Sequence, residues 1–133
     1  LTSEPIFYPD LSIYTKQHEL LRELSRKSDC VIVGRCADYI LREQKPVRIF
    51  AYADMEGRIK RCMERRPEDE NLTEAQMKKR ITEIDRNRAK YYTFFSGQKW
   101  GARENYDLLV NTSGADISKL ASALCGYLEA LSE

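Results

Sequence analysis

The chain has 133 residues, of which 42% are hydrophobic and 32% are charged, a balance typical of one globular domain. Its 22 Lys and Arg residues nearly cancel its 21 Asp and Glu residues, which excludes binding to a polyanion by overall charge, so any basic site must be local. The longest apolar run, residues 30–33, is too short to cross a bilayer, and no signal-peptide pattern opens the sequence.

Predicted helices and strands alternate from the start of the chain. An amphipathic helix is predicted over residues 12–27, and the β-branched run CVIVG at 30–34 predicts a buried strand. After a short helix, a second strand is predicted over 47–52 and a third over 107–111. This order favours an α/β fold with a parallel sheet.

The predicted helices have clear start and stop signals. Asp54 can cap a helix that runs to about Arg66 and stops at Pro67. The segment TEAQ at 73–76 is a capping box, and the long helix that it opens should end before Ser96 and Gly97. The last helix, about residues 115–131, should turn its leucines and Ile117 toward the core.

The cysteines and the histidine do not form a metal-ligating pattern. The chain has four cysteines without C-x-x-C spacing and a single histidine, so we predict neither a metal site nor a disulfide framework. Free thiols are typical of a reducing compartment, and we expect a cytoplasmic protein that does not enter membranes.

An arginine interrupts the apolar stripe of the long helix. Residues at helical spacing form this stripe, namely Met77, Ile81, Ile84, Arg88, Tyr91 and Phe95. Burying an unpaired guanidinium is costly, so the side chain of Arg88 either extends to solvent or meets an anion. Asp85 lies one turn earlier and could orient Arg88, although a simple intrahelical pair is the alternative.

Two further segments carry polar side chains where a parallel sheet binds ligands. Arg35 and Asp38 in GRCAD follow the first predicted strand, and the alternative is a solvated turn. Arg58, Arg61 and Arg65 share one face of the next helix, which could equally be a solvated face. Arginines at three such places together predict a phosphate-binding site.

Four segments of the sequence also resemble a known family. In order and spacing, CVIVGRCADYIL, RIFAYADMEGRIKRCMERR, IDRNRAKYYTFFSGQKWG and NYDLLVNTS resemble the cytidylate kinase-like family of P-loop nucleoside monophosphate kinases, from about Gln17 to the C-terminus. The resemblance implies a P-loop NTPase-like parallel sheet of five strands in three α/β/α layers, with a helical lid at about 54–100. It implies transfer of the γ-phosphoryl group of ATP, with Mg²⁺, to CMP or a related small acceptor. The alternative is a nucleotide-binding regulatory module without turnover.

The resemblance also implies a role for each candidate side chain. Four residues would bind the acceptor substrate: Arg35, Asp38, Asp85 and Arg88. Three would bind ATP as part of the lid: Arg58, Arg61 and Arg65. Arg61 and Arg88 would be catalytic, so Arg88→Ala should reduce transfer strongly while Arg66→Ala should do little.

The sequence departs from the family pattern at several points. It contains no G-x-x-x-x-G-K-[ST] loop, and we expect it to be the C-terminal two-thirds of one domain whose first strand and P-loop lie upstream. Ile81 stands where cytidylate kinases have an arginine, and Val33 where they tend to have an acidic residue. Asp38 follows Arg35 by three positions, whereas cytidylate kinases have the aspartate directly after the arginine. The acceptor therefore stays open among CMP, dCMP, UMP and a non-nucleotide.

The expected partner is a small-molecule nucleotide. The only support for nucleic-acid binding is KYYTFFSGQKW, in which Tyr91 and Phe95 fit core packing better, so we expect no nucleic acid. Tyr92, Phe94 and Trp100 could pack the lid or form a dimer surface, which leaves a homo-oligomer possible.

Overall fold

The computed structural model describes residues 9–132. These residues form five helices and a two-strand parallel sheet, a mostly helical α/β architecture. The elements in chain order are α1 (Leu11–Lys27), α2 (Ala37–Ile40), β1 (Ile49–Tyr52), α3 (Met55–Arg65), α4 (Glu74–Ser96), β2 (Leu108–Asn111) and α5 (Ile117–Leu131). Short 3₁₀ turns occupy Arg42–Gln44 and Arg103–Asn105. No helix in this part of the chain is both long and apolar enough to cross a membrane.

The predicted helix starts are confirmed by hydrogen bonds in the structure. Asp54 caps α3, since its Oδ1 accepts a 2.7 Å hydrogen bond from the Gly57 N–H. At the start of α4, Gln76 Oε1 accepts from the Thr73 N–H at 2.9 Å and Thr73 Oγ1 accepts from the Gln76 N–H at 3.2 Å, which confirms the capping box. α4 ends at Ser96, and the next residue, Gly97, has a φ of 68°, the left-handed conformation that commonly stops a helix.

The second and third predicted strands are present and pair with each other. β1 and β2 run parallel, with a register from Ile49 opposite Leu108 to Tyr52 opposite Asn111. A carboxylate fixes the start of this ladder, because Asp107 Oδ2 accepts from the Arg48 N–H at 2.7 Å.

The expected strand at residues 30–34 is wrong. Residues 30–33 have no regular structure, and Val31 and Val33 are 95% and 87% exposed. A strand needs a neighbour to complete its ladder of hydrogen bonds, and within residues 9–132 the strand pairing is that of β1 with β2. The β-branched composition of the segment therefore reports strand propensity but not a pairing partner.

The described residues divide into two compact units. The first comprises residues 9–46 and 87–100, and its core contains Leu21, Cys36, Ala37, Ile40, Leu41 and Tyr92. Tyr14 of α1 stacks on Phe95 of α4 with ring centroids 3.7 Å apart at the edge of that core. On α1 the predicted apolar side is buried only at Leu21, while Leu20 and Leu24 are exposed.

The second unit comprises residues 47–86 and 101–132 and holds the sheet, α3 and α5. Met77 and Ile81, the first two members of the predicted stripe on α4, are buried. The inward face predicted for α5 is mostly uncovered, since Ile117, Leu128 and Leu131 are exposed. Two strands form a narrow surface, which cannot cover the whole apolar side of a 15-residue helix.

Candidate functional site

The GRCAD segment, in the first unit, forms a left-handed turn that leads into α2. Gly34, Arg35 and Cys36 have φ angles of 69°, 59° and 57°, and the Ala37 N–H donates to the Gly34 carbonyl at 3.2 Å. A non-glycine residue in this conformation costs on the order of 1 kcal/mol or more, so the surrounding packing must hold the turn. Cys36 supplies that packing because it is buried in the core of the first unit.

Asp38 follows this turn and is held from α4. The Tyr92 hydroxyl lies 2.8 Å from Asp38 Oδ2 and 2.8 Å from Gln98 Oε1. Tyr92 is only 5% exposed, so its hydroxyl depends on protein partners. The structure thus joins the predicted substrate residue Asp38 to two side chains that the sequence did not suggest.

Gln98 is itself fixed to the last turn of α4. Its N–H donates to Ser96 Oγ at 3.0 Å, and its carbonyl accepts from Thr93 Oγ1 at 2.9 Å. The backbone of Gln98 is therefore fixed to the end of the helix.

Arg88 lies one helical turn before Tyr92, on the same side of α4. Arg88 is exposed and so is the neighbouring Ile84, which agrees with the alternative that the Arg88 side chain extends to solvent. The apolar stripe is buried at its first two members, Met77 and Ile81, and partly buried at its last two, but its middle is open. An exposed arginine needs no buried anion, which answers the question that the stripe raised.

The electrostatics of the turn follow from burial. Burial, with the carboxylate of Asp38 adding to it, raises the pKa of the Cys36 thiol to about 12. Burial also raises the pKa of Tyr91, and the Arg35 guanidinium partly opposes that shift. Arg35 is thus close enough to α4 to act on Tyr91, while it is itself exposed.

In the second unit, two of the predicted lid arginines bind protein groups. Arg58 Nη1 lies 2.6 Å from Asp85 Oδ2, and both side chains are half-buried. Arg61 donates from Nη1 to Thr112 Oγ1 at 3.0 Å and from Nη2 to the Thr112 carbonyl. These bonds attach α3 to α4 and to the end of β2, whereas Arg65 is exposed.

Arg66 has a structural contact that the sequence did not suggest. Its Nη1 donates to the Leu72 carbonyl at 2.6 Å and lies 3.3 Å from Met63 Sδ. Because the side chain ties the loop after α3 back to the helix, Arg66→Ala is a poor control for a substitution of Arg88.

The structure therefore divides the predicted site residues between the two units. Arg35, Asp38 and Arg88 belong to the first, and Arg58, Arg61, Arg65 and Asp85 belong to the second. Two further residues bind members of these sets, Tyr92 to Asp38 and Thr112 to Arg61, and Gln98 binds Tyr92 in turn. Of these, Tyr92 could have been suggested by its i+4 spacing from Arg88.

The aromatic residues near the end of α4 do not share one role. Tyr92 is buried, Trp100 packs against the core of the first unit, and Phe94 is 52% exposed. Tyr91 and Phe95 also pack against that core, as predicted.

A resident metal does not fit the described residues. Within 9–132, no three His, Cys, Asp or Glu side chains are grouped so that they could hold a metal ion.

Comparisons with known proteins bear on the whole site. The sequence model of the cytidylate kinase-like family matches residues 8–114, a range that includes every candidate site residue. Among solved structures, an uncharacterized protein from Eubacterium ventriosum is similar, with a TM-score of 0.79 and 28% sequence identity. That similarity covers 93% of this chain and 69% of the other. No curated protein matches significantly.

Proposed function

Because the chain belongs to the cytidylate kinase-like family, as its motifs predict, we propose that it acts in a phosphotransferase of the nucleoside monophosphate kinase type. The reaction moves the γ-phosphoryl group of ATP to CMP or to a related small acceptor. The observation that best supports this proposal is the arrangement in the first unit. There, the exposed Arg88 lies one turn from Tyr92, the residue that holds the Asp38 carboxylate.

In this proposal the first unit binds the acceptor. Arg88 and Arg35 contact its phosphate, since a guanidinium matches phosphate oxygens in charge and in fork geometry. Asp38 accepts hydrogen bonds from an amino or hydroxyl group of the same molecule.

The second unit contributes the lid residues. Arg58, Arg61 and Arg65 bind the ATP phosphates, and Asp85 binds a sugar hydroxyl. For this, Arg58 and Arg61 exchange their present partners, Asp85 and Thr112, for phosphate oxygens. The lid residues, once they bind the phosphates, exclude water, which would otherwise compete with the acceptor.

In this reaction the protein side chains form no covalent bond to the transferred group. Phosphoryl transfer depends mainly on positioning and on stabilisation of the charge on the transferred group. Arg61 and Arg88 are the side chains proposed for that stabilisation. Mg²⁺ enters with ATP as part of the substrate, and no step is assigned to a metal held by this chain.

A nucleotide-binding regulatory module without turnover is the second candidate. The observation that favours it is the double contact of Arg61 with Thr112, in which a proposed catalytic guanidinium already has a structural task. In such a module Arg88 would hold a nucleotide without taking part in transfer.

ADP formation by the complete gene product tests the proposal. The product is incubated with Mg²⁺-ATP and a panel of acceptors that includes CMP, dCMP and UMP. We expect ADP formation that depends on one of these acceptors and exceeds the rate with ATP alone. ATP binding without acceptor-dependent turnover would reject the phosphotransferase and support the regulatory module.

A further inference from the structure

We propose that Tyr92 is a positioning residue, whose hydroxyl fixes the Asp38 carboxylate relative to Arg88 in the arrangement that an acceptor nucleotide binds. The inference rests on the proposed function for the roles of Asp38 and Arg88. The role of Tyr92 comes from the hydrogen bonds of the first unit.

The hydrogen-bonding capacity of a phenol decides which contact matters. The Tyr92 hydroxyl has one hydrogen, yet Asp38 Oδ2 and Gln98 Oε1 both lie 2.8 Å from it. A charged carboxylate is the stronger acceptor, so the hydrogen goes to Asp38. Gln98 completes the arrangement when its amide turns to present the NH₂ group to the phenol oxygen.

The anchor on the α4 side is rigid. Tyr92 is buried within the core of the first unit, and Gln98 is tied by its backbone to Thr93 and Ser96. Tyr92 cannot leave this core without disturbing the end of α4. The hydroxyl therefore presents a fixed point to whatever it binds.

The turn that leads to Asp38 needs such a fixed point. It contains three consecutive residues with positive φ, two of which are not glycine. A turn in this conformation relaxes unless its surroundings hold it, and the bond from Tyr92 restrains it directly beyond the strained residues.

The bond from Tyr92 relates the carboxylate of Asp38 to α4. Arg88 and Tyr92 are one turn apart on this continuous helix, so the bond fixes the carboxylate with respect to the helix backbone that carries Arg88. A ligand with a phosphate for the guanidinium and a hydrogen-bond donor for the carboxylate would contact both side chains.

The neighbouring tyrosine provides a matched control. Tyr91 is also partly buried at the same core, but its hydroxyl donates to Gln17 Oε1 at 3.3 Å and not to the turn. Tyr91→Phe and Tyr92→Phe therefore remove the same atom from adjacent residues.

The first experiment measures CMP binding to the complete gene product by calorimetry. We expect Tyr92→Phe to weaken CMP binding about 10-fold and Tyr91→Phe to change it less than about twofold, because the Tyr92 hydroxyl binds the carboxylate and the Tyr91 hydroxyl binds Gln17. Melting temperatures of both variants verify that the fold is retained. Equal effects of the two substitutions would overturn the proposal.

A double-substitution cycle separates positioning from general stabilisation. In an Asp38→Ala background the hydroxyl of Tyr92 has no carboxylate to place, so Tyr92→Phe should have no further effect on CMP binding. If Tyr92→Phe weakens CMP binding as much in this background as in the protein that retains Asp38, Tyr92 acts through stability alone and the proposal is rejected.

Hydrogen exchange without ligand distinguishes failure of this proposal from failure of the proposed function. If the unaltered protein does not bind CMP, the assignment of CMP as the acceptor fails, and the restraint is then judged by amide exchange at residues 37–40. Faster exchange there in Tyr92→Phe than in Tyr91→Phe supports a positioning role for Tyr92. The same exchange in both variants overturns it.

Discussion

Arg88 is exposed on α4, and its proposed part in phosphoryl transfer can be tested by substitution. A guanidinium that stabilises the transferred phosphoryl group contributes mainly in the transition state. We therefore expect Arg88→Ala to lower kcat/KM for the acceptor by about 100-fold or more in the complete gene product, measured as ADP formation.

Arg86 is the matched control for that substitution. It lies two residues earlier on α4, is also exposed, and points to another side of the helix. Arg86→Ala should change kcat/KM less than about twofold, as expected of a surface charge. Similar losses of kcat/KM at both positions would show that activity depends on the overall charge of α4 and not on the specific position of Arg88.

Cys36 should be the least reactive thiol of the chain. Burial raises its pKa to about 12, whereas Cys30 and Cys125 are exposed. Since the thiolate is the reactive form, a disulfide reagent at pH 8 should modify Cys30 and Cys125 quickly and Cys36 only after unfolding. Mass spectrometry of digested protein measures the order, and early modification of Cys36 would contradict the buried turn.

The same shift has a consequence for stability at alkaline pH. The pKa of Cys36 is raised in the folded state, so its thiol favours folding below the unfolded pKa near 9 and loses that contribution as pH rises toward about 12. The urea midpoint should therefore fall over this range, and it should fall less in Cys36→Ala.

At the scale of elements, the capping box of α4 gives a local test. Thr73→Ala removes the acceptor for the Gln76 N–H and should destabilise the protein by about 1 kcal/mol, measured as a shift in the urea midpoint. Thr82 is the control, because its hydroxyl bonds back to the Lys78 carbonyl in the exposed middle of the same helix. Thr82→Ala should destabilise the protein by less than about 0.5 kcal/mol. Equal destabilisation by the two substitutions would show that the capping bond does not stabilise α4.

The elements that sequence could predict are those with local causes. Asp54 and the pair Thr73 and Gln76 set helix starts through bonds that span three residues, so short sequence patterns contain the whole signal. The strand predicted over residues 30–34 was wrong because a strand is completed by a partner elsewhere in the chain. The prediction that the apolar face of α5 is buried was wrong for a similar reason, since periodicity identifies an apolar side but not what covers it.

The candidate site was predictable only in part. Motifs suggested Asp38 and Arg88 as candidates, although the spacing of Asp38 from Arg35 departs from the family pattern. They did not identify Tyr92 and Gln98, because the bond from Tyr92 to Asp38 joins residues 54 positions apart and the sequence has no local trace of it. For Arg88 the sequence left two alternatives, solvent or an anion, because helical periodicity does not show whether a stripe is covered along its full length.

For the whole molecule, the uncovered apolar side chains predict association of the 133-residue chain. Val31 and Val33 are nearly fully exposed, and a net charge of +1 gives little repulsion between copies. We expect sedimentation velocity to show association that increases with protein concentration. The combined change Val31→Thr and Val33→Thr should reduce it, because a hydroxyl replaces a methyl group on each side chain without altering its branched shape.

Val47 supplies the control for this effect. It is also an exposed valine, but at 44% exposure it presents much less apolar surface than Val31 or Val33. Val47→Thr should therefore leave the association nearly unchanged, because apolar attraction scales with the area removed from water. If the 133-residue chain stays monomeric at every concentration, the exposed segment does not drive association. If Val47→Thr reduces association as much as the double change, the effect belongs to apolar surface in general and not to residues 30–33.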